Sequence, residues 1–82
     1  MKIFKYNGRC NLCGENVRLL REAKGLSQDQ LAARLQVAGL PLTQKAVSRI
    51  ETGDRVVADY ELVHLAAVLE TDVTSLLTDK RE

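Results

Sequence analysis

Apolar residues recur along this chain at helical spacing, in five short bursts separated by polar or glycine-containing breaks. In residues 14–24, Val17, Leu20 and Ala23 fall on one face with Leu19 beside them. Gly25 then stands where a left-handed residue ends a helix, with Leu26 folding back onto it. A second helix starts at Ser27. Ser27 and Gln30 make an S-x-x-Q capping box, each side chain satisfying the other's orphan backbone amide, and Leu31, Ala32 and Leu35 form the buried stripe. A connection over residues 36–42, containing Gly39 and Pro41, breaks this pattern before Thr43 caps a third helix. There Ala46, Val47 and Ile50 are expected to bury while Gln44, Lys45, Ser48 and Arg49 face outward, and Gly53 closes the helix. A fourth helix is predicted over about 59–69, with Leu62, Leu65, Ala66 and Leu69 inward; Ala58 is a poor cap for it, although Asp59 suits the positive end of the dipole. Asp72 caps a last short helix carrying Val73, Leu76 and Leu77. Residues 1–12 show no helical period, and Asn7-Gly8 signals a turn. The division is an arm at 1–12, an all-α, compact five-helix domain at 13–78, and a tail at 79–82 that is expected to fray.

A chain of 82 residues has room for one domain with a small core. An apolar content of 45% with only three aromatic residues favours aliphatic helix packing, and one proline with five glycines is too few for a strand-and-turn protein. No apolar run approaches bilayer length, and no apolar region follows Met-Lys-Ile-Phe-Lys as in a signal peptide, so a cytoplasmic location is expected. The net charge of +1 hides an asymmetry. Residues 1–55 hold ten Lys/Arg against five Asp/Glu, whereas residues 56–82 hold two against six. Such a chain can turn one basic face toward a polyanion while staying near neutral overall.

The second and third helices carry the chemistry that suits this charge. In a helix-turn-helix, the second helix lies in the major groove of DNA with its N-terminal residues against base edges. Gln44 has the paired donor and acceptor that match adenine, Arg49 the fork that matches guanine, and Lys45 reaches guanine or phosphate. These three share roughly one exposed sector, and Thr43 and Ser48 are short polar groups suited to backbone or base contacts. Exposed faces of ordinary helices also carry Gln, Lys and Arg, so composition alone does not decide the matter. No nucleophile and base stand at suggestive positions, and an enzyme is not expected.

The string Val17-Arg18-Leu19-Leu20-Arg21-Glu22-Ala23-Lys24-Gly25-Leu26-Ser27-Gln28-Asp29-Gln30-Leu31-Ala32, followed by Val47-Ser48-Arg49-Ile50-Glu51-Thr52-Gly53, Leu65-Ala66 and Leu76-Leu77, resembles the lambda-repressor-like, Cro-type (xenobiotic-response-element) helix-turn-helix family. The resemblance covers about residues 14–77. It implies that Gln28 donates to a phosphate, that Gln44, Lys45 and Arg49 face bases, and that Thr43 and Ser48 face the nearby backbone. It places Thr52 and Arg55 in a loop that grips the opposite strand's phosphates, and makes Arg21 and Glu51 a structural ion pair between the first and third helices. The chain departs from the family pattern in three places. The 36–42 connection is long, Asp54 stands where a basic residue is frequent, and Glu70 stands where glycine normally ends the fourth helix. The first bears on the crossing geometry and base register, the second weakens the phosphate grip, and the third implies a strained or differently built cap.

Cys10-Asn-Leu-Cys13 is a C-x-x-C. Zinc needs four ligands and the chain supplies this pair and His64, so a zinc site requires Cys10 and Cys13 from each of two subunits; the simpler reading is two reduced thiols and no cofactor. Cys13 is placed to serve as the small N-cap of the first helix, where the dipole lowers a thiol's pKa and makes a redox disulfide conceivable. His64 reads as a partly exposed surface residue. For the arm, Lys2, Lys5 and Arg9 suit a DNA backbone or minor groove, Ile3, Phe4 and Tyr6 suit a cover over the bundle or a second subunit, and plain disorder is the third possibility. Taken together, the sequence points to a small DNA-binding transcriptional regulator, a repressor by preference, acting as a homodimer on double-stranded DNA with a palindromic operator. Control would come through expression level, a regulatory protein partner or the cysteines. The rival reading is an antitoxin-like or scaffold module whose acidic second half and Leu76-Leu77 grip a protein.

Overall fold

The computed structural model describes residues 5–78, which form α1 (Gly14–Ala23), α2 (Gln28–Val37), α3 (Gln44–Thr52), α4 (Asp59–Val68) and α5 (Val73–Leu77). The expectations for Lys2, Ile3, Phe4 and the tail at 79–82 fall outside the described residues. Each helix begins and ends for a local reason. Ser27 and Gln30 form the capping box, with Ser27 Oγ accepting from Gln30 N at 3.0 Å and Gln30 Oε1 from Ser27 N at 2.8 Å. Thr43 and Asp72 accept from Ala46 N and Ser75 N in the same manner. Leu26 N returns to Arg21 O past the left-handed Gly25, which ends α1. Ala58 offers no side-chain acceptor, but Glu61 Oε1 accepts its amide at 3.0 Å and supplies half a box.

One cap differs from expectation, and the end of α4 is strained as its sequence implies. Cys13 precedes α1 yet makes no side-chain cap; Asn11 Oδ1 instead accepts from Gly14 N at 2.8 Å. A thiol is a weak acceptor and an amide oxygen a strong one, which decides the competition. Glu70 follows α4 with φ of 58°, the left-handed conformation glycine usually supplies, and Thr71 N bonds back to Ala66 O at 2.9 Å.

The core is assembled from Val17, Leu31, Leu35, Val47, Ile50, Leu65, Leu69 and Leu76, with α3 packed between α1 and α2, and α4 against α2 and α5. The inner face of α1 lies nearer its N-terminus than the spacing predicts: Cys13, Asn16 and Val17 are buried, Leu20 is half-buried, and Ala23 and Leu19 are exposed. Polar Asn16 is tolerated there because Nδ2 donates to Leu76 O (2.9 Å) and Thr78 O (2.7 Å), carbonyls the short α5 leaves unpaired. On α3, Ala46 and Ser48 are half-buried rather than buried and exposed.

α2 runs to Val37, so the connection to α3 is shorter than its sequence suggests, and it is packed. Leu40 and Leu42 are buried in the core, Leu40 N returns to Leu35 O at 2.9 Å, and Gln36 Nε2 donates to Leu42 O at 3.0 Å. Two anchored leucines pin the start of α3 against α2. At the other end of α3, α1 approaches so closely that a Cβ on Gly14 would overlap Ile50 O. Only glycine permits that backbone-on-backbone contact.

Candidate nucleic-acid interface

The outward surface of α3 is built from residues left over once its core face is fixed. Val47, Ile50 and Glu51 point inward, and Gln44, Lys45 and Arg49 are exposed, with Thr43 exposed at the N-cap. A shallow groove of about 230 Å³ runs between α3 and the loop that follows, lined by Thr43, Lys45, Ala46, Arg49, Asp54 and Arg55. Neither the Lys45 nor the Arg49 side chain is held by a hydrogen bond or ion pair to another described residue.

Beneath this surface lies a polar chain linking three helices. Arg21 donates from Nε to Glu51 Oε2 at 2.6 Å and from Nη2 to Oε1 at 3.0 Å, and from Nη1 to Leu26 O at 2.7 Å. The Glu51 side chain is only 3% exposed. Its hydrogen bond keeps the Arg21 guanidinium protonated more firmly than an isolated one, against the opposing pull of burial. Gln28 Nε2 donates to the same Glu51 Oε1 at 3.0 Å, and Gln44 Nε2 donates to Gln28 Oε1 at 2.6 Å. Gln28 thus stands at the start of α2 with its orientation set from both sides. Gln44 is exposed and engages one amide hydrogen in this contact.

The loop after α3 is more self-contained. Arg55 donates from Nη1 and Nη2 to Glu61 at 2.8 and 2.9 Å, and this hydrogen bond holds the Glu61 carboxyl below the usual carboxylate range despite its burial. Thr52 Oγ1 donates to Asp54 Oδ2 at 2.8 Å. The two loop residues expected at phosphates are therefore engaged within the protein, Thr52 with the acidic Asp54 and Arg55 with Glu61. Ser48 is half-buried beside Lys45 and Arg49.

Sequence reasoning did not assign the segment just ahead of α1. Tyr6 and Arg9 exchange backbone hydrogen bonds (2.8 and 3.0 Å) around the Asn7-Gly8 turn, and Tyr6 is 67% exposed, so it does not cover the bundle. From there the chain crosses the end of α3. Arg9 Nη2 donates to Glu51 O (2.9 Å), Cys10 N to Gly53 O (2.8 Å), and Asn11 Nδ2 to Ile50 O (3.1 Å) and Arg55 O (2.7 Å). Asn three residues before a helical amide is a cap signal, and it was legible at Asn11; the carbonyls that Asn11 serves some forty residues on were not.

Cys13 is 1% exposed in the core, and burial pushes its thiol up to about 11, opposite to the lowering expected from the helix dipole. Cys13 faces the core, and Cys10 is half-buried. His64 is half-buried with Nδ1 2.7 Å from Tyr60 O. No helix among the described residues is long and apolar enough to cross a membrane.

Searches of curated proteins and of solved structures return no match. A family model for the helix-turn-helix domain matches residues 13–77, all five helices and both members of the α2–α3 pair. That family is one of DNA-binding, typically non-enzymatic modules, and the five-helix, lambda-repressor-like architecture agrees with it. The chain belongs to the helix-turn-helix domain family.

Proposed function

We propose that the chain is a sequence-specific regulator of transcription, a repressor, that places α3 in the major groove of double-stranded DNA and binds a palindromic operator as a two-fold dimer. The observation that carries the reading is the exposed sector of α3: Gln44, Lys45 and Arg49 stand outward on a helix whose inner face is held by the part-buried Arg21–Glu51–Gln28 chain. Gln44, steadied by Gln28, keeps one donor and one acceptor for an adenine edge. Arg49 offers its fork to guanine, and Lys45 a charge to guanine or phosphate. Gln28 has an amide hydrogen left for a phosphate at the α2 N-terminus, where the helix dipole favours anions. Thr43 and Ser48 line the backbone beside them. Thr52 and Arg55 contact the opposite strand's phosphates only by sharing or releasing Asp54 and Glu61.

The test is selection of bound sequences from random duplexes, then titration of the selected site at several salt concentrations. Binding is expected to weaken linearly on a log–log salt plot, and the selected site to show two symmetric halves. Arg49→Ala is expected to cost about 1–3 kcal/mol at one base position and to relax specificity there. Absent or salt-independent binding would sink the proposal. Of the surface that the rival protein-interaction reading names, Leu76 is fully buried and Leu77 is 42% exposed. A tight protein partner competing with no DNA complex would favour it.

A further inference from the structure

We infer that Arg9 and Asn11, which lie ahead of the segment matched by the family model, are positioning residues for the DNA-reading helix; this rests on the proposal that α3 reads DNA. The last carbonyls of any α-helix lack intrahelical donors and are normally left to water or to a local cap. In α3 the local cap serves Arg49 O and Ile50 O through Asp54 N and Gly53 N, and residues 9–11 add further donors. Arg9 and Asn11 donate to Glu51 O and Ile50 O, and Cys10 N to Gly53 O, beyond the helix end. The same Asn11 amide reaches Arg55 O and so ties the helix end to the loop that returns toward α4. Its oxygen meanwhile accepts from Gly14 N at the start of α1. One side chain thus joins α1, α3 and the loop.

The Arg9 guanidinium lies over Gly53, where φ is 84° and an added Cβ would sit 2.7 Å from Arg9 Cζ. A cation at this end also complements the negative pole of the α3 dipole. The start of α3 is pinned by Leu40 and Leu42, and its end by Arg9 and Asn11. Fixing both ends sets the angle at which Gln44, Lys45 and Arg49 meet a groove. Neither Arg9 nor Asn11 needs to touch DNA for this.

The experiment compares full-length wild type, Asn11→Ala, Asn11→Asp and Arg9→Ala on the selected operator duplex, at a temperature where circular dichroism shows each fully folded. Asn11→Asp keeps the acceptor for Gly14 N and so spares the α1 cap, while replacing the donor to Ile50 O and Arg55 O by a repelling oxygen. It is expected to lose about tenfold in affinity for the operator while its weak binding to unrelated duplex and its salt slope stay as in wild type, because no phosphate contact is removed. Arg9→Ala is expected to behave alike; a salt slope reduced by about one would instead make Arg9 a phosphate contact and overturn its positioning role. Folded Asn11→Asp with wild-type operator affinity would overturn the inference while leaving the DNA reading intact. Wild type failing to bind any duplex would overturn both.

Discussion

Removal of the Glu51 carboxylate tests the brace beneath α3 most directly. In Glu51→Ala the Arg21 guanidinium loses two hydrogen bonds and its counter-charge while its side chain remains 11% exposed, and Gln28 loses its acceptor. Breaking a buried ion pair by deleting one member typically costs about 3–5 kcal/mol, because the survivor is left charged and poorly solvated. Here the cost is moderated. Arg21 keeps Leu26 O at 2.7 Å, and Glu22 Oε2, 3.9 Å from Nη2, can draw closer. About 2–3 kcal/mol is the expected loss, against a total stability on the order of 4–12 kcal/mol for a chain of this length. That corresponds to a fall in Tm of roughly 10–20 °C. Urea unfolding followed by far-ultraviolet circular dichroism measures it, with the slope on denaturant expected to stay unchanged. Arg21→Ala should cost a similar amount, and the double variant little more than either single, giving a coupling of at least about 1.5 kcal/mol. A loss below about 1 kcal/mol in Glu51→Ala, or additive single effects, would refute the brace.

Three further outcomes follow from single contacts. Glu70→Gly should stabilise the chain by about 0.5–1 kcal/mol, relieving a left-handed non-glycine residue at the small loss of its surface pair with Lys24; a lower Tm would contradict that account. Glu61, held below the usual carboxylate range by Arg55, stabilises the fold fully above roughly pH 4.3 and loses that contribution as pH falls through its depressed folded value; Glu61→Gln should flatten stability between neutral pH and pH 3, and an unchanged profile would count against the pair. Cys13, with its thiol at about 11 instead of 9.0, has a thiolate fraction about a hundredfold smaller at pH 8, so iodoacetamide followed by mass spectrometry should find Cys10 modified first and Cys13 only after unfolding; equal rates would refute its burial.

What was legible in the sequence was what neighbouring residues decide among themselves. Ser27 with Gln30, Thr43 with Ala46, Asp72 with Ser75, and Gly25 after α1 are each settled within a few residues, and so are the ends of the four helices they delimit. Periodicity located the α3 face that bears Gln44, Lys45 and Arg49, because Val47 and Ile50 leave only one side outward. The resemblance to lambda-repressor-like domains implied the Arg21–Glu51 pair, which no local rule predicts across thirty positions. Errors arose where a polar group's partner lies far along the chain. Asn16 is buried because α5 has carbonyls to offer it, and Asn11 takes the cap from Cys13 while serving Ile50 and Arg55. The 36–42 connection breaks the apolar period in sequence, yet in the fold its Leu40 and Leu42 are buried in the core and anchor it. Helix-end carbonyls recruit donors from wherever the chain passes close, so residues 9–11, which show no helical period, are held by the carbonyls that the end of α3 presents.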